Sequence, residues 1–250
     1  IEAKGSGTWA AFRTALMDEM LETVSLPAGR QANPGLKIAL KLPNWYPHYH
    51  ELGYSMKLAT KHQLAVYVGA ETRNPSYTQQ HLPKYLSYFI TRLIRQMGPE
   101  TTGSWVDPYE ITANWTWFAQ QIEFTALAKV PELALFSLGD LLQPENKLAF
   151  PIAGETLRCL DHYLPALGTP TGLASYLPDA SSGENYIHGY LAACGIPLEP
   201  KISWPDSDPQ VFLTAACAKD LAILDRIRDK LLLGHDVILT SGFLEQVQGE

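Results

Sequence analysis

The ten residues Leu64-Ala-Val-Tyr-Val-Gly-Ala-Glu-Thr-Arg73 decide how this chain is read. Leu64 to Val68 is a short apolar run with β-branched and aromatic side chains, which reads as a β-strand. A run apolar on both faces suits a parallel sheet covered by helices. Beyond Gly69-Ala70 the strand ends in an acid, Glu71, two residues before a fixed cation, Arg73. Parallel α/β barrels keep their chemistry at the carboxyl ends of strands, so an acid here is an acid at a working edge.

The same pattern repeats on either side. Asn33-Pro-Gly35 is a turn signal, and Lys37 to Leu42 after it reads as a strand that ends at Pro43-Asn44-Trp45-Tyr46. Gly103-Ser-Trp105-Val-Asp107-Pro108 ends another, and Glu132 to Phe136 a fourth, followed by Ser137-Leu-Gly-Asp140. Helices fill the gaps. Leu86, Phe89, Ile90, Leu93, Ile94 and Met97 recur at helical spacing until Gly98-Pro99 stops them. Trp115 to Val130 is a second helix, with Phe118, Ile122, Leu127 and Val130 inward, and Trp9 to Thr23 precedes the first strand. Four strands alternating with about four helices, over residues 1–164, predict half of a (β/α)8 barrel.

After Gly168-Thr-Pro170 the pattern restarts with shorter units. Gly172 to Leu177, Val211 to Thr214 and Val237 to Thr240 read as strands. Ser181-Ser-Gly-Glu184 fits a capping box that opens a helix through Ala193, with Gly195 as its stop. A helix from about Ala218 to Leu233 presents Leu221, Leu224, Ile227 and Leu231 on one face. Residues 165–250 are therefore expected to form a second α/β layer, doubly wound and flavodoxin-like, which breaks off just after a strand.

Composition narrows the function classes. Of 250 residues, 46% are hydrophobic and only 18% charged, as expected where many elements are buried on both faces. A net charge of −7 and a pI near 5.5 argue against nucleic acid or an anionic membrane as partner. No apolar run approaches the roughly 20 residues that span a bilayer. Cys159, Cys194 and Cys217 lack C-x-x-C spacing, so neither a disulfide framework nor a zinc site is indicated. Cys194 and Cys217 read as buried small residues rather than nucleophiles, and no Gly-rich phosphate loop or nucleophile elbow occurs. No metal or organic cofactor is expected. The chain opens at Ile1 without a Met or a signal-peptide pattern, which reads as a part of something longer.

The strand ends carry the side chains of a carbohydrate site. A carboxylate such as Glu71 suits proton transfer or nucleophilic attack because its surroundings set its pKa; a plain ion pair with Arg73 is the alternative. Asp107 shares the placement, against a simple Asp-Pro turn. Asp140 is a candidate too, against helix capping. Asn44 offers an amide for sugar hydroxyls, and Trp45 and Trp105 offer flat apolar faces for a pyranose ring. Tyr46 fits a packing role equally well, and Trp115 or Trp117 belongs to the core. His48-Tyr-His50 reads as loop histidines rather than metal ligands. Asn114 reads as a helix N-cap rather than a glycosylation acceptor.

Ala3-Lys-Gly-Ser-Gly-Thr-Trp9, Leu42-Pro-Asn-Trp-Tyr46, Gly69-Ala-Glu-Thr-Arg73, Gln80-His-Leu-Pro83 and Trp105-Val-Asp-Pro108 resemble the later part of a TIM-barrel glycoside hydrolase. The group is related to the family 42 β-galactosidases. Tyr176-Leu-Pro through Leu239-Thr-Ser-Gly242 is similar to the start of their trimerisation domain, which is built like a class I glutamine amidotransferase without its chemistry. The resemblance implies a galactosidase-like carbohydrate substrate and a homo-oligomer, dimer or trimer. It implies catalytic roles for Glu71 on the sixth barrel strand and Asp107 on the seventh, where relatives carry a Glu nucleophile. Asn44, Trp45, Arg73, Trp105 and Asp140 would bind the sugar. A further acid from the fourth strand would lie before Ile1. A non-catalytic carbohydrate-binding protein is the alternative reading.

Overall fold

The computed structural model describes residues 8–72, 82–98, 101–108 and 114–248. Helix α1 (Trp9–Met20) starts at Thr8, whose hydroxyl accepts from Ala11 N at 3.1 Å. The helical path does not stop at Thr23 as expected. It continues through a π-helical turn, Leu21–Ser25, into α2 (Leu26–Ala32). Pro27 sits near the start of α2, directly after the π-helical turn, and buried Leu21 and Leu26 keep the path on the core.

Then come β1 (Ala39–Leu42), α3 (Tyr49–Leu52), α4 (Met56–His62), β2 (Ala65–Gly69) and α5 (Leu86–Met97). β3 (Thr101–Val106), α6 (Trp115–Leu127), β4 (Glu132–Leu135), α7 (Leu138–Leu141) and α8 (Ala149–Tyr163) complete the first unit. Its four strands lie in sequence order β1-β2-β3-β4, all parallel. Val66 and Val68 are fully buried beneath the helices, and the sheet alternates, so Lys41, Tyr67, Gly69 and Trp105 share the opposite face. Asn114 caps α6, its side-chain oxygen accepting from Thr116 N, as the sequence predicts. Trp115 and Trp117 both pack against this core, half-buried.

The second unit holds β5 (Leu173–Tyr176), α9 (Ile187–Ala193), β6 (Leu198–Lys201), β7 (Gln210–Leu213), α10 (Ile223–Leu232), β8 (Asp236–Leu239) and α11 (Ser241–Val247). Its strands are all parallel in the order β6-β5-β7-β8, so the winding reverses between β5 and β7. The architecture is α/β throughout the described residues, with two parallel sheets.

Helix α5 joins the two units. Leu86, Ile90 and Ile94 enter the first core, while Phe89 and Leu93 pack with Leu177 and Ala216 of the second unit. That double burial explains why its apolar positions form a broad stripe. Behind it, Arg92 forms a buried ion pair with Glu199 of β6, and Gln96 donates to the same carboxylate at 3.0 Å.

Several local expectations are corrected. Ser181 and Glu184 do not form a capping box: the helix starts at Ile187, and Ser181 Oγ donates to Pro178 O. Glu184 instead accepts from Ala215 N at 2.7 Å and from the Thr240 hydroxyl, a tertiary use that outcompetes the local cap. The expected helix from Ala218 splits into a 3-10 turn, Ala215–Lys219, and α10, because Asp220 is extended. The inward face also moves. Leu221 is 100% exposed, and Ile223 and Lys230 are the buried positions. Lys230 is held there by the main-chain oxygens of Pro205 and Asp206, and burial lowers its pKa. Cys194 is exposed, not buried, whereas Cys217 is buried with its thiol pushed up to about 12 by that burial. β6 was not anticipated, since Leu198-Glu-Pro-Lys201 has the Pro and charges of an edge strand. The chain also continues past β8 into α11.

Candidate active site

Parallel pairing puts the carboxyl ends of β1 to β4 on one edge, and the register fixes their relative heights. Gly69 pairs with Trp105, and Glu71 and Asp107 each stand two residues beyond that pair. Leu42 pairs with Val68, which sets Asn44 two residues beyond its own strand end. The ladder still holds at Ala70, whose N–H donates to Trp105 O at 3.0 Å, so the ends do not splay.

All three polar residues are withdrawn from solvent: Asn44 is 1% exposed, Glu71 7% and Asp107 2%. Asn44 Nδ2 donates to Glu71 O at 2.9 Å, tying the β1 end to the β2 end. Gln121 of α6 ties β2 to β3, donating Nε2 to Thr72 O at 3.0 Å and to Asp107 O at 3.4 Å. Its Oε1 accepts from Asp107 N at 3.4 Å, so one amide completes the main-chain bonding of the residue that carries the acid. Ser87 Oγ donates to Ala70 O at 2.5 Å from the first turn of α5.

Gly69 is small for a visible reason. A Cβ there would lie 2.5 Å from Glu71 Oε2, 2.7 Å from the Trp105 ring and 3.1 Å from Asn44 N. The Glu71 carboxylate therefore folds back over Gly69, and three residues singled out from sequence converge on one glycine. Tyr49 stands close by, its hydroxyl donating to Pro43 O. Burial first, and then the Glu71 charge, raises the Tyr49 phenol well above its ordinary value.

The two tryptophans differ. Trp45 is 46% exposed, a free indole at the rim. Trp105 is buried, and Lys41 Nζ sits 4.3 Å from its ring centroid and 3.9 Å from that of Phe136. Tyr46 takes the packing role, in an edge contact with Tyr186 and a tilted one with Phe89. Asp140 lies on the same edge after β4, where Ser137 Oγ donates to its carboxylate at 2.7 Å and Asn146 Nδ2 to its carbonyl at 2.8 Å. Arg73 lies outside the described residues.

The histidines of the 48–50 segment point elsewhere: His48 pairs with exposed Glu51 at 3.0 Å. Among the described residues, Asp18, Glu22 and His62 form the one grouping spaced for a metal. Lys61 already holds it, at 2.7 Å from Asp18 and 2.8 Å from Glu22, and His62 Nε2 is 2.7 Å from Asp18. No helix among the described residues is long and apolar enough to cross a membrane.

Sequence reasoning missed Gln121, Ser87 and Tyr49. A signal existed for two of them, since Gln121 and Ser87 sit among the apolar inward positions of their helices, where a polar side chain must find a partner.

Asn44, Glu71 and Asp107 thus stand together, buried, at the carboxyl edge of one parallel sheet. Residues 1–157 match the family described as probable glycosyl hydrolase, catalytic domain, and the chain belongs to that family. Residues 168–250 match the second domain of the uncharacterized protein SSO3021. The whole SSO3021 protein, from Saccharolobus solfataricus, is 22% identical over 204 residues, covering 78% of this chain and 34% of that protein. The chain thus spans about a third of its relative's length. No solved structure matches it.

Proposed function

We propose that this chain is the site-bearing part of a glycoside hydrolase that cleaves a terminal galactoside or related sugar with paired carboxylates. The observation that carries the reading is the placement of Glu71 and Asp107 two residues past one register pair, on one edge, both buried. Hydrolysis of a glycosidic bond needs one carboxyl group to protonate the leaving oxygen and another to attack or to activate water. Glu71 is the leading catalytic carboxylate and Asp107 the next. Trp45, with its exposed indole, stacks on the sugar ring, and Asn44, Arg73, Trp105 and Asp140 position it.

Residues 1–164 are, in this reading, the second half of a (β/α)8 barrel, with β1 to β4 as its last four strands. The sequential parallel order supports this, as does the sheet face bearing Lys41, Tyr67, Gly69 and Trp105, which a closed barrel would turn inward. Residues 165–250 are the start of a flavodoxin-like, amidotransferase-like unit: the order β6-β5-β7-β8 supports that winding, and a trimerisation role fits it. The carboxylate that works with Glu71 is Asp107 or an acid on an extension that closes the barrel.

The test is an assay of a chromogenic β-galactoside with this chain beside a chain extended upstream to a closed barrel. Turnover is expected from the extended chain and little from the short one. An extended chain that binds galactosides without cleaving them would make this a carbohydrate-binding protein and overturn the proposal.

A further inference from the structure

Lys41 stands on the same sheet face as Gly69 and Trp105 but one layer nearer the amino end, since it pairs with Tyr67 while Gly69 pairs with Trp105. Its side chain reaches toward the carboxyl edge. Nζ lies 4.3 Å from the Trp105 ring centroid and 3.9 Å from that of Phe136, which follows the end of β4. The Trp105 ring also comes within 2.7 Å of the point where a Gly69 Cβ would sit, and Glu71 Oε2 comes within 2.5 Å of that point. One indole thus links a positioned ammonium to the surroundings of the leading catalytic carboxylate.

Two rings hold that ammonium, but a ring face satisfies a cation only in part, and the three N–H donors of a lysine seek oxygen acceptors. Among the described residues no carboxylate lies within ion-pair distance of Lys41, and the residue is exposed on the open sheet face. In a closed barrel that face turns inward, which places the charge inside the site. A neutral sugar offers it only hydroxyls. A carboxylate or sulfate offers charge-assisted hydrogen bonds, which are roughly twice as strong.

We propose that Lys41 reads an anionic group on the sugar, so that the preferred substrate is an acidic glycoside, a uronide or a sulfated sugar, rather than a neutral galactoside. Trp105 and Phe136 fix the ammonium, and the substrate supplies its oxygen acceptors. The inference rests on the glycosidase reading of this edge and narrows its substrate class. A galacturonide differs from a galactoside only in carrying a carboxylate at C6.

The experiment measures kcat/KM of the chain extended to a closed barrel on a chromogenic β-galactoside, the matching galacturonide and the galactoside sulfated at C6. One of the two acidic probes should be favoured over the neutral one by about tenfold to a hundredfold, the worth of a hydrogen bond to a charged group, and the better of the two names the anion. Lys41→Met should remove that preference, chiefly through KM, whereas Lys41→Arg should retain most of it. Equal use of the three probes overturns the proposal. So does a Lys41→Met loss that falls equally on neutral and acidic probes, because the lysine would then serve the fold or the Glu71 charge. Should Lys41→Met fail to fold, the comparison of probes on the unaltered enzyme still decides. Cleavage of none of the probes would sink the glycosidase reading by itself, and binding then decides this inference. Galacturonic acid or galactose sulfated at C6 should shift the Trp105 indole NMR signal at a concentration at least about tenfold lower than galactose does; equal concentrations overturn it.

Discussion

Glu71 and Asp107 stand level on neighbouring parallel strands, each two residues past the Gly69–Trp105 register pair. Their placement follows from pairing alone, before any side-chain contact. Gln121 and Asn44 then fasten the main chain beneath them, so the two acids are presented by a fixed edge rather than by loose loops.

Gly69→Ala should disturb that edge. The added methyl meets Glu71 Oε2, the Trp105 ring and the Asn44 backbone nitrogen at once, and the last of these cannot swing aside. Overpacking of this kind costs about 1–3 kcal/mol. Urea unfolding should show that loss, and NMR should show a displaced Trp105 indole; an unchanged indole signal would count against the geometry.

Gln121→Leu keeps the volume but leaves Thr72 O and Asp107 N without their partner in α6. Unmet buried groups cost about 1–3 kcal/mol each. Hydrogen exchange at the Asp107 amide should rise more than at Val68, which lies in the same sheet but is bonded by the ladder alone.

Arg92→Met should destabilise far more than a surface charge change. The guanidinium pairs with Glu199 across the junction of the two units, with the side chains only 10% and 6% exposed. Removing one partner strands a buried charge, at about 3–5 kcal/mol, whereas Arg92→Met with Glu199→Leu should recover most of it. Denaturation midpoints of the two single variants and the double variant decide the point.

Burial pushes the His188 imidazole down to about 3, against 6.5 for the free side chain. The unfolded chain therefore binds a proton below about pH 6.5 that the folded chain refuses, so this residue's share of stability is whole above that pH. It is lost as pH falls towards 3, by up to about 1.4 kcal/mol per unit. His188→Phe should flatten the stability–pH curve in that window relative to the unaltered chain. Identical slopes would mean that the imidazole is solvated.

The sequence announced the first unit well, because each strand there is a compact apolar run punctuated by a turn signal and a polar end. Asn44, Glu71 and Asp107 were legible as a group for the same reason: position after a strand is a one-dimensional property. The convergence on Gly69 was not legible, since it depends on register between strands roughly 35 residues apart. The second unit was harder to read. Glu184 looks like a local cap and is a tertiary ligand of Ala215 and Thr240 instead. In α10 the leucines at helical spacing mark the outer face, and an apolar repeat cannot say which side the sheet lies on.

The central claim rests on one side chain. In a chain extended to a closed barrel, Glu71→Gln preserves shape and hydrogen-bonding reach while removing the charge and the transferable proton. The account predicts that kcat on a chromogenic galactoside falls by about 10²–10⁴, the usual worth of general acid–base help, with sugar binding retained. A kcat within about tenfold of the unaltered enzyme would contradict it.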